Sequence, residues 1–280
     1  MIKLGISTSI SDGSLSAEKV ARMAKEAGFE TVAFGEHSHI PAARETPYPA
    51  GDGTMPSGYE RLHDLVVTLT VAALATETIR IGTGIMQIVQ RDPIHTAKAV
   101  ASLDQISNGR MLLVTGSSWN LEEMRNHGVE PETRYELLEE RVLAMREIWT
   151  EDEASFHGRF VDFDRIWSWP KPVQDPMPVL IGGNSEGTEE RALRFGTGWA
   201  PLVFPGILDR VRAYTAKAAE DGLETTVTAV GAQPTAQVLE DYATAGAERY
   251  LFGMTIQTDE GELADKLEQV LAAQAEFAGG

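Results

Sequence analysis

The chain is expected to be an α/β protein folded as a (β/α)8 TIM barrel, and three observations lead there. Eight short strand-like runs alternate with eight helical ones along 280 residues, the usual size of such a barrel. The clearest strands are continuous apolar runs rather than alternating ones, as strands buried on both faces of a parallel sheet are. Turn signals bound each run. A doubly wound open sheet is the competing architecture for the same alternation.

Taken in order, Ile2–Thr8 is the first strand, and the helix beginning near Ser16 carries Val20, Met23, Ala24 and Ala27 on one face until Gly28 stops it. Thr31–Phe34 is the second strand. The long polar loop Ser38–Gly58 follows, with four prolines and three glycines; loops of that length in compact domains tend to be functional. A helix starts near Arg61, and Ile79–Gly84 is the third strand. His95–Ser107 is helical, with Val100, Leu103 and Ile106 read as its buried face, and Asn108-Gly109 ends it. Met111–Thr115, the fourth strand, opens into Gly116–Asn120. The fourth long helix starts near Arg134 and is followed by an insertion, residues 151–178, rich in aromatics and proline. Its centre, Phe156–Phe160, reads as a hairpin turn, and the segment as either a covering flap or a substrate wall. Strands near Val179–Gly182, Trp199–Val203, Thr225–Val230 and Arg249–Gly253 complete the set, with helices near Thr188, Ile207, Pro234 and Asp259. The last helix carries Leu263, Leu267, Val270 and Leu271 on one face. No Pro/Gly/Ser-rich linker divides the chain, so residues 1–280 are read as one domain.

Composition excludes several functions. Lys plus Arg number 24 against 42 Asp plus Glu, a net charge of −18. Such a surface repels phosphate backbones and anionic lipid heads, so neither a nucleic acid nor a membrane is the expected partner; a small molecule is. The absence of cysteine removes thiolate nucleophiles, disulfides and cysteine metal sites together. Without a signal-like apolar core at Met1-Ile-Lys-Leu, or any run of about 18 apolar residues, a soluble cytoplasmic protein is expected.

In a barrel of this kind the chemistry sits at the C-terminal ends of the strands. Strand 2 ends in Gly35-Glu36-His37-Ser38-His39, and a histidine there transfers protons near neutral pH. His37-Ser-His39 also invites a metal reading. No Asp ends strand 8, however, and His63, His95, His127 and His157 fall at helix starts or in flanking loops, so no metal is expected. Strand 5 ends in Ile181-Gly182-Gly183-Asn-Ser-Glu-Gly-Thr188 and runs into a helix whose first amides suit a phosphate or carboxylate. Neither a GxGxxG nor a Walker sequence is present, so a conventional dinucleotide or triphosphate cradle is not expected.

Together these pieces resemble the bacterial-luciferase-like flavin and deazaflavin oxidoreductases, in particular the branch that uses coenzyme F420. The residues that carry the resemblance are Gly35-Glu-His37, Arg80-Ile-Gly-Thr-Gly84, Leu113-Val-Thr-Gly116, Trp119-Asn120, Glu122–Gly128, Gly182-Gly183, Ala192–Gly196 and Gly198-Trp199. No single motif is diagnostic; their order and spacing are. The resemblance implies a non-proline cis peptide at Gly84–Ile85 behind the coenzyme ring. It implies Glu36 and His37 beside ring and substrate, with His37 the proton donor or acceptor and Glu36 next to it. It implies Gly116, Ser117, Trp119 and Asn120 along the ribityl chain, and Gly182 and Gly183 at the phosphate, with Arg191 a possible added charge there. It also implies a homodimer. The coenzyme is F420 on this reading, with FMN in a monooxygenase as the alternative and a non-catalytic flavin or deazaflavin carrier as a second. One departure counts against a sugar-phosphate dehydrogenase: that group has a glutamate directly after the strand-4 Thr-Gly, where this chain has Ser117.

Overall fold

Eight parallel strands close on themselves in the computed structural model of the chain, which describes residues 1–49 and 51–279. Ala50, inside the Ser38–Gly58 loop, and Gly280 lie outside the described residues. The barrel runs β1 (Lys3–Thr8), β2 (Thr31–Phe34), β3 (Arg80–Thr83), β4 (Met111–Thr115), then β7 (Val179–Gly182), β8 (Gly198–Ala200), β9 (Thr226–Gly231) and β10 (Arg249–Gly253), which pairs back onto β1. Every neighbouring pair is parallel, so all C-terminal strand ends share one mouth. β5 (Ala154–His157) and β6 (Asp162–Ile166) form a separate antiparallel hairpin, as the sequence of the insertion predicts.

The helices are α1 (Ala17–Glu26), α2 (Leu65–Ala75), α3 (Pro93–Ser107), α4 (Leu121–Asn126), α5 (Arg134–Thr150), α6 (Thr188–Phe195), α7 (Ile207–Glu220), α8 (Ala236–Thr244) and α9 (Glu260–Gly279). Val20 and Ala24 of α1 and Leu263, Leu267 and Val270 of α9 are buried, as their spacing requires. At the barrel floor, Arg249 forks onto Glu30 at 2.7 and 2.9 Å, tying β10 to the start of β2. No helix among the described residues is long and apolar enough to cross a membrane.

Four expectations need correction. Tyr59–Arg61 is a 3-10 turn, and α2 starts only at Leu65, because the Asp64 side chain caps it by accepting from the Val67 amide at 3.0 Å. The strand read as Trp199–Val203 is shorter, Gly198–Ala200, with an isolated bridge at Leu202. Ile106 is 48% exposed while Val100 and Leu103 are buried. At 3.6 residues per turn it stands about 120° round the helix from Val100. The insertion is not a wall of the mouth. Glu140 of α5 accepts the amides of Arg159, Phe160 and Val161, and Asp104 of α3 accepts those of Val173 and Gln174. These bonds hold the segment along the outer helices, with Gln174 reaching the first residue of β4 through the Met111 carbonyl.

Candidate active site

His37 leaves β2 at the mouth with a side chain that is 5% exposed. Its Nδ1 lies 2.7 Å from Glu123 Oε2, in α4, and 3.3 Å from the side-chain Nε2 of Gln87. Burial works to raise the Glu123 carboxyl, but the His37 ring and the Ser38 amide outweigh it and hold the group below its ordinary value. An ionised Glu123 fixes the proton of His37 on Nδ1. Nε2 makes no hydrogen bond among the described residues, and its lone pair is therefore the free one. This is the arrangement of an oriented acid–base histidine: one nitrogen anchored by a carboxylate, the other open.

The helix that supplies Glu123 was not expected, yet its signal is present. Asn120 Oδ1 accepts the Glu123 amide at 3.2 Å, so Asn120-Leu-Glu-Glu123 has the residue spacing of a capping box and starts α4 at Leu121. Asn120 itself is fully buried, and its Nδ2 has no partner among the described residues.

Glu36 points into a different network. Its Oε2 accepts the Gln87 amide at 2.6 Å, and its Oε1 is gripped by Nε and a terminal nitrogen of Arg91. Gln87 Nε2 returns a bond to the Glu36 carbonyl at 2.7 Å. Glu36 thus ties the end of β2 to the loop after β3, and its carboxylate is held by that loop rather than by the mouth.

Three aromatic rings stand round His37. Trp119 is 5.5 Å away and edge-on, Tyr59 is 5.7 Å away, and Tyr48 touches both, at 5.5 Å from Trp119 and 5.7 Å from Tyr59. Arg44 lies over Trp119 at 5.6 Å. Burial, with Tyr48 alongside, pushes the Tyr59 hydroxyl well above its ordinary value, so it is a neutral donor throughout the physiological range. The Ser38–Gly58 loop therefore frames the mouth, as its length suggested. Nothing local in the sequence marks Tyr48, Tyr59 or Gln87, because it does not encode which loop side chain turns inward.

Beside this group lies a glycine-lined cradle. The Gly84–Ile85 peptide is cis. A Cβ on Gly116 would come within 2.7 Å of Ile85 Cδ1, and one on Gly182 within 3.2 Å of Ile85 Cγ2, so the Ile85 side chain is packed between the two turns. Gly183 has φ +103°, and a Cβ there would meet nothing within 4 Å. Ser117 and Trp119 are half-buried along the same loop. Trp199 Nε1 donates to the Gly183 carbonyl at 2.9 Å, and Asn184 exchanges bonds with Leu202, which holds this turn to β8.

At its outer end two guanidinium groups gather beside the acidic first turn of α6, where Glu189 is paired with Arg210. Arg191 reaches Ser185 Oγ, the Glu186 carbonyl and Thr188 Oγ1 at 2.8–3.0 Å. The guanidinium groups of Arg134 and Arg191 both lie over the Tyr135 ring, at 4.5 and 4.2 Å. Helix α6 begins after Gly187 with no side chain capping its first amides. Apolar floor, open glycine turn, two guanidiniums and the N-terminus of α6 suit a flat ring carrying a phosphate-bearing tail. Arg134 and Tyr135 were not anticipated; they come from α5, across a strand boundary.

Residues 8–278 match the family model described as luciferase-like monooxygenase. An uncharacterized protein of Mycobacterium tuberculosis is 38% identical over 253 residues, covering 87% of this chain and 89% of the relative. An FMNH(2)-dependent dimethylsulfone monooxygenase of Pseudomonas putida is 30% identical over 73% of this chain and 53% of its own. Among solved structures, a monooxygenase from Streptomyces bottropensis superposes with TM-score 0.79 at 18% identity, covering 99% and 100% of the two chains. An F420-dependent secondary alcohol dehydrogenase superposes with TM-score 0.76 at 16% identity, covering 97% and 98%. At such identities the two superpositions speak for the fold.

Proposed function

The chain belongs to the luciferase-like monooxygenase family, and from that premise we propose that it is a coenzyme F420-dependent oxidoreductase acting on a small alcohol or carbonyl compound. The observation that carries the reading is the buried His37–Glu123 pair, 2.7 Å apart and beside the glycine-lined cradle. When bound, the deazaflavin supplies the hydride chemistry. Gly84, Ile85, Gly116, Ser117 and Trp119 would hold its ring and chain, and Gly182, Gly183 and the two arginines its phosphate.

The protein's own work is proton handling and enclosure. His37 Nε2 takes the proton of a substrate hydroxyl as the alcohol is oxidised, or returns it to a carbonyl oxygen in the reverse direction. Glu123 holds the ring at Nδ1 and stabilises the imidazolium that results. Glu36 is a positioning residue, keeping the β2 and β3 ends in register through Gln87 and Arg91. Trp119, Tyr48 and Tyr59 keep water from the reacting face.

FMN is the second reading, supported by the FMNH(2)-dependent relative. Fluorescence titration of the purified protein with both coenzymes separates them. F420 is expected to bind at least tenfold more tightly than FMN, a difference of about 1.4 kcal/mol. Tighter binding of FMN transfers the assignment to the monooxygenase reading.

We further propose a homodimer formed through the outer face of α2. Val67, Val71 and Leu74 are 60, 40 and 72% exposed and fall on one stripe at i, i+4 and i+7. The helix carries no charged residue, so on a chain of charge −18 it is a surface where two copies meet without repulsion. Light scattering of the parent should give the mass of two chains, and the Val67→Asp/Leu74→Asp variant that of one, with its thermal transition retained. A parent of single-chain mass removes the proposal.

A further inference from the structure

Glu123 has a second face that proton transfer does not use. Its Oε2 holds His37, while Oε1 accepts the Ser38 amide at 3.1 Å and the Ser38 hydroxyl at 3.3 Å. That hydroxyl also lies 2.9 Å from His39 Nδ1 and 2.6 Å from His127 Nε2. Two imidazoles, 5.5 Å apart and tilted by 52°, and one buried carboxylate therefore converge on the Ser38 hydroxyl. The nearest ligand atoms of His39, Glu123 and His127 all lie within 4.8 Å of one another.

We propose that His39, His127 and Glu123 form a binding site for a borderline transition-metal cation of the zinc type, with Ser38 Oγ or water as the fourth ligand. Two imidazole nitrogens and a carboxylate oxygen suit zinc and its neighbours rather than calcium or magnesium, which take oxygen ligands. With bonds of about 2.0–2.1 Å, tetrahedral ligand atoms stand roughly 3.3 Å apart. The ligand atoms now stand up to 4.8 Å apart, so binding on this proposal requires the exposed His127 ring to move inward.

One further feature suits the ion. The Asn126 amide sits 2.8 Å from His39 Nε2. Turned over, that amide accepts the Nε2–H and leaves the Nδ1 lone pair for the ion, the outer-shell support that metal-bound histidines receive.

The sequence concealed this site because α4 was not legible. His37-Ser-His39 suggested a metal, but the remaining ligands stand 84 and 88 residues beyond His39, on a helix that folds back over the same loop. The site needs neither coenzyme nor substrate, so its test is independent of the reaction assigned above. Chelator-treated protein is titrated with Zn²⁺ by calorimetry. One ion per chain is expected, with a dissociation constant in the micromolar range. His39→Ala and His127→Ala should each weaken binding at least tenfold, whereas His157→Ala, on the outer hairpin, should leave it unchanged. Absence of saturable binding up to about 1 mM overturns the proposal, as does parental affinity in both His39→Ala and His127→Ala. Thermal melts of the variants, matching the parent, exclude unfolding as the cause of a loss.

Discussion

His37→Ala is expected to lower turnover by roughly 10²–10⁴-fold, the usual worth of a positioned acid–base group. Coenzyme affinity should change far less, because the cradle at Gly84–Ile85, Gly116 and Gly182–Gly183 is built from other strands. Glu123→Gln should cost at least roughly 10²-fold, since a neutral amide neither fixes the Nδ1–H tautomer nor stabilises the imidazolium. The two changes together should cost little more than His37→Ala alone, because Glu123 acts only through the ring. His95→Ala, with a side chain 92% exposed, is the matched control and should keep parental rates. The assay needs a substrate found by screening alcohols, enones and nitroaromatics with F420 in the matching redox state. Turnover that survives His37→Ala while coenzyme affinity falls would make the residue a clamp on the coenzyme and refute its proton role.

The pair also has an acid signature. The Glu123 carboxyl is held below its ordinary 4.5 in the folded protein. A group depressed on folding contributes stability above its unfolded value and loses it as pH falls through the folded one. The parent should therefore lose more stability than Glu123→Gln does as pH drops from about 5 to 3. Denaturant melts at the two pH values measure it, and equal losses would mean that the Glu123 carboxylate is not held against His37 in solution.

Trp199→Ala should be the most destabilising change among the residues discussed. The side chain is fully buried, packs on Tyr214 at 5.4 Å and donates to the Gly183 carbonyl. Removing a buried tryptophan costs about 3–5 kcal/mol through lost burial and the cavity left behind. At about 2–4 °C per kcal/mol for a domain of this size, Tm should fall by roughly 6–20 °C. Trp199→Phe separates packing from anchoring. It keeps most of the ring but leaves the Gly183 carbonyl unpaired, so coenzyme affinity should drop more visibly than stability. A Trp199→Ala variant melting within about 2 °C of the parent would show that this face of the barrel repacks freely.

Much was legible in the sequence by itself. The eight βα units, the order of the strand ends, the Gly84–Ile85 turn, the glycine pair before α6 and the location of His37 all followed from runs of fewer than twenty residues. Apolar spacing reports the buried face of a strand or helix, and turn residues mark where it stops, because both are local consequences of backbone geometry. Tertiary structure alone decided what each strand end meets. It set Glu123 against His37 across 86 residues and bound Glu36 to Arg91 across 55. It turned Tyr48 and Tyr59 inward, brought Tyr135 under Arg191 beside the glycine turn and laid the aromatic insertion along the outer helices. The physical reason is closure of the barrel. Parallel pairing brings to one rim loops whose sequence separation is large, and a side chain's partner there depends on which loops become neighbours, which periodicity along a single element does not encode.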